Sequence, residues 1–329
     1  MNIQFIDAIS FCVPKAFSVP KKPTYTSGIL VIESDDGRVS DYTHWYPLMQ
    51  KLSMEYSDFY PYNVARFCPA INTSVIGEEG RMSVSQLQEL SRWTEIMAHG
   101  RQHIRLGRYP VPEGANAGSK KFMVRNSARL TTNTTTYEII EGSKREQIRV
   151  LTADEDGIGW VAGEIEVETP LNNSYTSSAY IQLSQEGADE ELGGCLSDLK
   201  DWGISAESFV YPGHEGAMDF GNPDALSWVE NYFSSGRGRL VSSSNDPINT
   251  SDTPLNNLKA IYSTSYTQQD IEHIMDEVQA KNGVLIWYGH GEPSSDMMVF
   301  LERLIRTAFA KGVRIATRRE AVRFLKLQQ

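Results

Sequence analysis

Carboxylate and imidazole side chains follow three of the short apolar runs in this sequence. Asp35 and Asp36 end the first of these runs, His99 and His103 end the second, and His290 ends the third. In a parallel α/β sheet or barrel, the carboxyl ends of the strands meet at one face, where active sites are assembled. We therefore expect these five side chains to converge.

Two imidazoles and one carboxylate form a ligand set typical of catalytic metal sites, because three protein ligands leave a coordination position open. Each motif has a plainer interpretation when taken singly. His99 and His103 also fit two solvated surface histidines, and Asp35–Gly37 fits a polar turn that closes a strand. The combination favours a metal site that also contains a base and an acid.

The elements that position these residues alternate between strand and helix in two separate parts of the chain. Residues 28–106 and 185–329 have this α/β pattern. Residues 107–184 are rich in Thr, Ser and Asn and contain β-like runs without a helical period. We therefore predict an α/β domain in two parts with a small all-β module inserted between them. Residues 1–27 contain three prolines and are predicted to form an irregular lead-in.

Within the α/β parts, apolar patterns predict the positions of individual elements. Helix 83–92 has the clearest signal, since Ser83 can cap it and Gln86 stands three residues later. The predicted strands of the α/β parts lie near 28–33, 63–68, 94–98, 206–211, 283–288 and 314–317. The other predicted helices lie near 42–56, 189–202, 225–233, 267–281 and 298–311, followed by a closing helix.

Charge and composition exclude several classes of partner. The 42 acidic residues outnumber the 31 basic residues, for a net charge of -11 at pH 7. A polyanion would be repelled over most of such a surface, so neither nucleic acid nor an anionic membrane is expected as the main partner. A neutral glycan would not be repelled.

The cysteines and the hydropathy pattern carry little further signal. Cys12, Cys68 and Cys195 lie far apart and lack metal-type spacing, so we expect free thiols. The N-terminal residues lack the features of a secretion signal. No run approaches the roughly 20 apolar residues needed to span a bilayer, so membrane insertion is not expected.

Four short motifs occur in a fixed order along the chain. They are E-S-D-D-G at 33–37, H-G-R-Q-H at 99–103, F-V-Y-P-G-H at 209–214 and L-I-W-Y-G-H at 285–290. In order and spacing they resemble the motifs of the polysaccharide deacetylases of carbohydrate esterase family four, which includes the rhizobial chitooligosaccharide deacetylase. The resemblance covers residues 28–106 and 185–327. It implies a distorted (β/α) barrel of the polysaccharide deacetylase type.

The resemblance also implies a role for each matching residue. The implied metal ligands are Asp36, His99 and His103, the general base is Asp35 and the general acid is His290. The backbone N–H of Tyr211 would line an oxyanion hole, with Pro212 beside it. The expected cation is Zn²⁺, although cobalt, nickel or manganese would also fit such a site.

Two positions depart from the family's pattern. Gly100 stands where the family has Ser or Thr, and Val210 stands where many members have an arginine that pairs with the catalytic base. Arg237 or Arg239, in the predicted loop 234–240, is the candidate replacement for that arginine. His214 is expected to be exposed.

The leading hypothesis is a hydrolase that removes N- or O-linked acetyl groups from a bacterial surface polysaccharide, such as a capsule or an O-antigen. The inserted module and the absence of a secretion signal suggest a phage tail-spike or tail-fibre enzyme. Such an enzyme would lie in the virion tail and form a homotrimer; otherwise we expect a cytoplasmic enzyme. The alternatives are a glycan-binding protein on a decayed deacetylase scaffold and a metal-dependent hydrolase of a non-sugar amide.

Overall fold

A computed structural model describes residues 28–57, 64–158, 160–213, 222–241, 246–291 and 293–329. The predicted lead-in 1–27, Cys12 and His214 lie outside the described residues. In the described part, Cys68 and Cys195 are buried free thiols, as expected. None of its helices is long and apolar enough to cross a membrane.

Among the described residues, strands and helices alternate in the parts before 107 and after 184, and strands joined by short turns occur between them. The strands of the described residues are β1 (Ile29–Ser34), β2 (Cys68–Ile71), β3 (Met97–Ala98), β4 (Tyr109–Pro110), β5 (Lys121–Arg125), β6 (Thr136–Glu141), β7 (Lys144–Ala153), β8 (Ala162–Val167), β9 (Tyr180–Leu183), β10 (Ser208–Val210), β11 (Ser235–Leu240), β12 (Leu258–Ala260), β13 (Val284–Gly289) and β14 (Arg314–Ile315). The α-helices are α1 (Tyr46–Tyr56), α2 (Val84–Ser91), α3 (Gln185–Ala188), α4 (Gly194–Asp201), α5 (Pro223–Tyr232), α6 (Gln268–Ala280), α7 (Ser295–Lys311) and α8 (Arg318–Lys326). Two π-helical turns, Asp41–Trp45 and Asp189–Gly193, precede α1 and α4.

The α/β part is built on a parallel sheet with the strand order β12-β11-β10-β3-β2-β1-β13, and β14 pairs with β1. Ile261, which directly follows β12, pairs in parallel with Trp287 of β13 at the other end of this order. The N–H of Ile261 donates to the carbonyl of Ile286 at 3.0 Å, and the N–H of Tyr288 donates to the carbonyl of Ile261 at 3.1 Å. These bonds link the first and last strands of the sheet.

Strand β1, which pairs with β2, β13 and β14, has the composition of a strand that is covered on both faces. Its residues Ile29–Ser34 are all buried, on both faces of the strand. A parallel strand covered on both faces has a continuous apolar run rather than an alternating one, and Ile29–Ile32 forms such a run. The same is true of β13, where Val284–Gly289 is buried throughout. The two strands pair in register from Ile29 with Val284 to Ser34 with Gly289, so their ends lie side by side.

A second, antiparallel sheet has the strand order β4-β9-β6-β7-β8-β5. Every one of its strands falls within residues 107–184, where the sequence predicted an inserted β module. Its buried side chains, including Tyr137 and Ile181, belong to the same hydrophobic cluster as Trp45 and Phe209 of the α/β part. The antiparallel sheet therefore packs against the α/β part with a shared core. The fold is α/β with a separate antiparallel sheet, and the division into domains stays a prediction.

The elements differ from their predicted bounds in several places. β12 has no counterpart among the predicted strands, and β3 begins at Met97 rather than near residue 94. The predicted loop 234–240 is strand β11, and β2 begins at Cys68 rather than near residue 63. The predicted helix 189–202 begins with a π-helical turn. β11 escaped prediction because its sequence, Ser-Gly-Arg-Gly-Arg-Leu, contains two glycines and lacks β-branched and aromatic residues.

Candidate metal centre

The carboxyl ends of β1, β3 and β13 bring the candidate residues together, as the sequence analysis expected. Asp35 and Asp36 directly follow β1, His99 directly follows β3, and His290 directly follows β13. His103 lies four residues beyond His99, in a loop without regular structure.

Asp36, His99 and His103 form a compact group whose geometry suits a metal ion. Their potential ligand atoms all lie within 4.8 Å of one another. The two Nε2 atoms are 3.1 Å apart. Asp36 Oδ1 lies 3.7 Å from the Nε2 of His99 and 3.5 Å from that of His103. Zinc bonds of about 2.0–2.1 Å at tetrahedral angles place neighbouring ligand atoms about 3.3 Å apart. The residues present therefore fit a tetrahedrally bound cation.

His99 is oriented by a backbone contact that leaves its Nε2 free to bind. Its Nδ1 lies 2.8 Å from the carbonyl oxygen of Val210. A carbonyl only accepts, so Nδ1 carries the proton and Nε2 presents its lone pair. Metal-binding histidines commonly donate their second N–H in this way. Val210 therefore contributes its backbone carbonyl, which orients the imidazole of His99.

The charge states of the group also favour a cation. Burial lowers the pKa of His99, and burial together with the charge of His99 lowers the pKa of His103 to about 3. Burial alone would raise the pKa of Asp36, but a hydrogen bond with His290 and the charges of His99, His103 and His290 lower it well below its usual range. At neutral pH the site therefore presents two neutral imidazoles and a carboxylate, which is the state that binds metal.

Two of the three candidate ligands have left-handed backbone conformations. Asp36 has a φ of 80° and His103 has a φ of 61°. The other non-glycine residues with positive φ in the described part are asparagines. Asn, Asp and His are the non-glycine residues found most often in this region, although it is uncommon for all of them. Such conformations cost on the order of 1–3 kcal/mol each and cluster at functional sites. At Asp36, Arg81 stabilises the turn by donating to the Asp36 carbonyl at 2.5 Å.

Asp35 is paired with a buried arginine. It is 1% exposed, and its Oδ1 accepts a hydrogen bond from Nη2 of Arg237, which is also buried. Nε of the same guanidinium lies 2.8 Å from Oε2 of Glu33, and Arg318 binds the other oxygen of Glu33. Of the two arginines considered from the sequence, Arg237 reaches Asp35, whereas Arg239 is exposed.

His290 contacts the candidate ligand Asp36 from the other side. Its Nε2 lies 3.3 Å from Asp36 Oδ2, the oxygen that is not turned toward His99 and His103. The hydrogen bond with Asp36 raises the pKa of His290, against the effect of burial. His290 is partly exposed, with 43% of its side chain accessible, so a bound substrate can reach it.

Tyr211 differs from expectation. Its backbone N–H donates to the carbonyl of Arg237 at 3.0 Å, as part of the pairing between β10 and β11, so this N–H is not directed at the candidate site. Its ring is fully buried and packs over Gly236 and Gly238, where a Cβ atom would lie 2.7 Å from the ring. Pro212, in the turn that follows, is also buried. The N–H that was expected to be the oxyanion donor therefore binds the carbonyl of Arg237 in this structure.

Sequence reasoning missed three residues that support the site. Arg81 and Arg318 are described above; the third is Glu191, a buried carboxylate in the π-helical turn before α4. Burial raises the pKa of Glu191 to about 7. Glu191 ends the acidic run Asp189–Glu191, and such a run is normally a solvated helix face. The sequence therefore does not distinguish Glu191 from its exposed neighbours. In the structure Glu191 and Leu192 are the buried residues of the π-helical turn.

Comparisons with known proteins leave the family of this chain open. No family model and no curated protein matches it. Two solved structures are similar to parts of the chain. A polysaccharide deacetylase from Bacillus cereus matches with a TM-score of 0.35 and 12% identity, over 64% of this chain and 40% of that chain. Pyruvate kinase from Pyrobaculum aerophilum matches with a TM-score of 0.31 and 12% identity, over 85% of this chain and 73% of that chain. These likenesses assign no activity to the chain, so its function has to be argued from the site.

Proposed function

We propose that this protein is a metal-dependent polysaccharide deacetylase. The observation that carries the proposal is the convergence of Asp36 Oδ1 and the two histidine Nε2 atoms at separations of 3.1, 3.5 and 3.7 Å. A base candidate, Asp35, and an acid candidate, His290, flank this group. Two His and one carboxylate with an open position form a catalytic rather than a structural ligand set.

Asp36, His99 and His103 would hold the cation, for which zinc is our first candidate. When bound, a divalent cation polarises an acetyl carbonyl and lowers the pKa of a water molecule. The other steps fall to side chains of this chain. Asp35 accepts a proton from the water that attacks the carbonyl carbon, and Arg237 keeps its carboxylate ionised and oriented. His290 donates a proton to the departing sugar oxygen or nitrogen, and acetate is released.

The link between β12 and β13 supports a distorted barrel as the scaffold of this site. The bonds of Ile261 to Ile286 and Tyr288 join the two ends of the strand order. In a closed parallel barrel all strand ends face one mouth, where catalytic residues come from several strands. The candidate residues follow β1, β3 and β13, which is the arrangement that such a mouth provides.

The experiment that tests the proposal is acetate release from a panel of acetylated bacterial surface polysaccharides and chitooligosaccharides. We expect release that a chelator abolishes and an added divalent cation restores. Asp35→Asn should bind metal and release no acetate. If the metal-loaded protein releases acetate from no substrate but binds a glycan, the decayed-scaffold alternative replaces this proposal. The virion location and the homotrimer rest on the sequence alone and stay predictions.

A further inference from the structure

Glu191 contacts the loop that contains His103 through three hydrogen bonds. Its Oε2 accepts the backbone N–H of Gln102 at 2.9 Å, and its Oε1 accepts the backbone N–H of Ile104 at 2.9 Å. These are the residues on either side of His103. The backbone carbonyl of Glu191 accepts the N–H of Arg101 at 3.0 Å. The carboxylate is 1% exposed, so these backbone groups, rather than water, satisfy it.

The loop needs such a support because His103 adopts an unfavourable backbone conformation. Its φ of 61° lies in the left-handed region, which non-glycine residues adopt uncommonly and keep only where the surrounding structure holds them there. The two N–H groups bound by Glu191 belong to the residues before and after it. Fixing both neighbours fixes the direction of the His103 side chain, whose Nε2 lies 3.1 Å from that of His99.

Gly100 lies directly against the same carboxylate. A Cβ atom at this position would lie 2.1 Å from Oε1 of Glu191. Any other residue at position 100 would therefore displace the carboxylate or the loop. The resembled family has a hydroxyl residue at this point of its histidine motif. In this chain the position is a glycine, and the buried carboxylate of Glu191 lies against it.

We propose that Glu191 is the positioning residue of the candidate metal centre, holding the loop 100–104 so that His103 faces His99 and Asp36 before a cation binds. This inference rests on the proposed metal-dependent function. The competing interpretation is that Glu191 only stabilises the fold. A fold-stabilising residue would change the free energy of unfolding without changing the cation affinity of the folded protein.

The test is a titration of the full chain with Co²⁺ at pH 8, followed by the visible absorption of the bound ion, which reports its coordination geometry. Loss of the outer contacts of a metal ligand typically weakens binding about 10–100-fold. We expect Glu191→Gln to lower the Co²⁺ affinity by this factor and to alter the spectrum. Glu186→Gln is the matched control, because Glu186 lies five residues earlier, in α3, and its side chain is exposed. We expect it to leave both readouts unchanged.

A second pair of variants covers the case in which Glu191→Gln fails to fold. Gly100→Ala places a methyl group against the carboxylate, and Gly77→Ala imposes a similar strain, since Gly77 has a φ of 91°, at a position with nothing within 4 Å. We expect only Gly100→Ala to weaken Co²⁺ binding. Wild-type affinity and spectrum in folded Glu191→Gln or Gly100→Ala would overturn the positioning role. A wild-type protein that binds no Co²⁺ would instead overturn the proposed metal-dependent function, and this inference with it.

Discussion

The guanidinium group of Arg237 joins the carboxylates of Asp35 and Glu33 in the interior of the protein. Nε lies 2.8 Å from Glu33, Nη2 donates to Asp35, and the group faces the ring of Tyr288 at 4.2 Å. All three charged side chains are at most 2% exposed. The positive charge of Arg237 thus compensates two buried carboxylates. Arg318 forms a second ion pair with Glu33. The candidate base is therefore part of a buried network.

Replacing Arg237 with methionine should impair both folding and activity. Breaking a buried ion pair by removing one partner costs about 3–5 kcal/mol, because the other charge stays buried without compensation. We expect a loss of this size in urea unfolding. The acid limb of the pH–rate profile should also move to higher pH, because Asp35 ionises less readily without its cation.

Arg239→Met is the control for this variant. Arg239 lies two positions further along β11 but is exposed. Its replacement should change the free energy of unfolding by no more than about 0.5 kcal/mol and should leave the pH–rate profile unchanged. Equal effects of the two substitutions would contradict the assignment of Arg237.

His103 and His290 both contact Asp36, yet their replacement should have different effects on metal binding. His103 Nε2 lies 3.5 Å from Oδ1, and His290 Nε2 lies 3.3 Å from Oδ2. We expect His103→Ala to lose most of the bound Zn²⁺ and His290→Ala to keep it, while neither releases acetate. Equilibrium dialysis followed by metal analysis measures the first quantity. A metal-free His290→Ala protein would show that His290 is a ligand rather than the acid.

Much of this arrangement follows from local sequence. The apolar run 28–33 predicted β1 to within one residue, and Ser83 and Gln86 form the capping box expected for α2. Because strand ends place the side chains that follow them, the convergence of Asp36, His99 and His103 could be predicted as well. Trp287, which lies in the predicted strand 283–288, is fully buried.

Other features depend on contacts between distant segments. β11 has no local strand signal; the ring of Tyr211 packs against its glycines, and β10 and β12 supply its hydrogen bonds. Residues two apart on a regular strand share a face, so alternation could not separate Arg237 from Arg239. The burial of β11 ends between them, where its pairing with β12 is irregular. Glu191 is buried within a π-helical turn, for which the sequence has no signature. The pairing of Tyr211 N–H with Arg237 follows from the same unpredicted strand.

Gly289, the residue before His290, should not tolerate a side chain. A Cβ atom there would lie 2.6 Å from the indole ring of Trp45, which stacks on Trp287 at 5.9 Å. Overpacking of a well-packed core costs about 1–3 kcal/mol, and we expect Gly289→Ala to lose this much in urea unfolding. Trp45→Phe removes the ring atoms that the methyl group would meet. The double variant should therefore lose less stability than the sum of the losses of the two single variants. Strict additivity would contradict the contact.

The stability of the metal-free protein should depend on pH through Glu191. Burial raises the pKa of Glu191 from 4.5 to about 7 in the folded state, while the N–H groups of Gln102 and Ile104 oppose this shift. Between these two values the folded protein holds a proton that the unfolded chain has released. Stability contributed by this group is therefore present in full below pH 4.5 and is lost as the pH rises through 7.

Glu191→Gln cannot titrate, so the difference between the two proteins isolates this effect. The stability of the variant relative to wild type should rise between pH 5 and pH 8, by at most about 3 kcal/mol, and should level off above. Urea unfolding in the presence of a chelator, at several pH values, measures the difference. Glu186→Gln should run parallel to wild type over the same range, because Glu186 is exposed and lies in α3, away from the buried carboxylate. A Glu191→Gln curve that also runs parallel would mean that Glu191 is ionised throughout, with its burial fully compensated by the two backbone N–H groups.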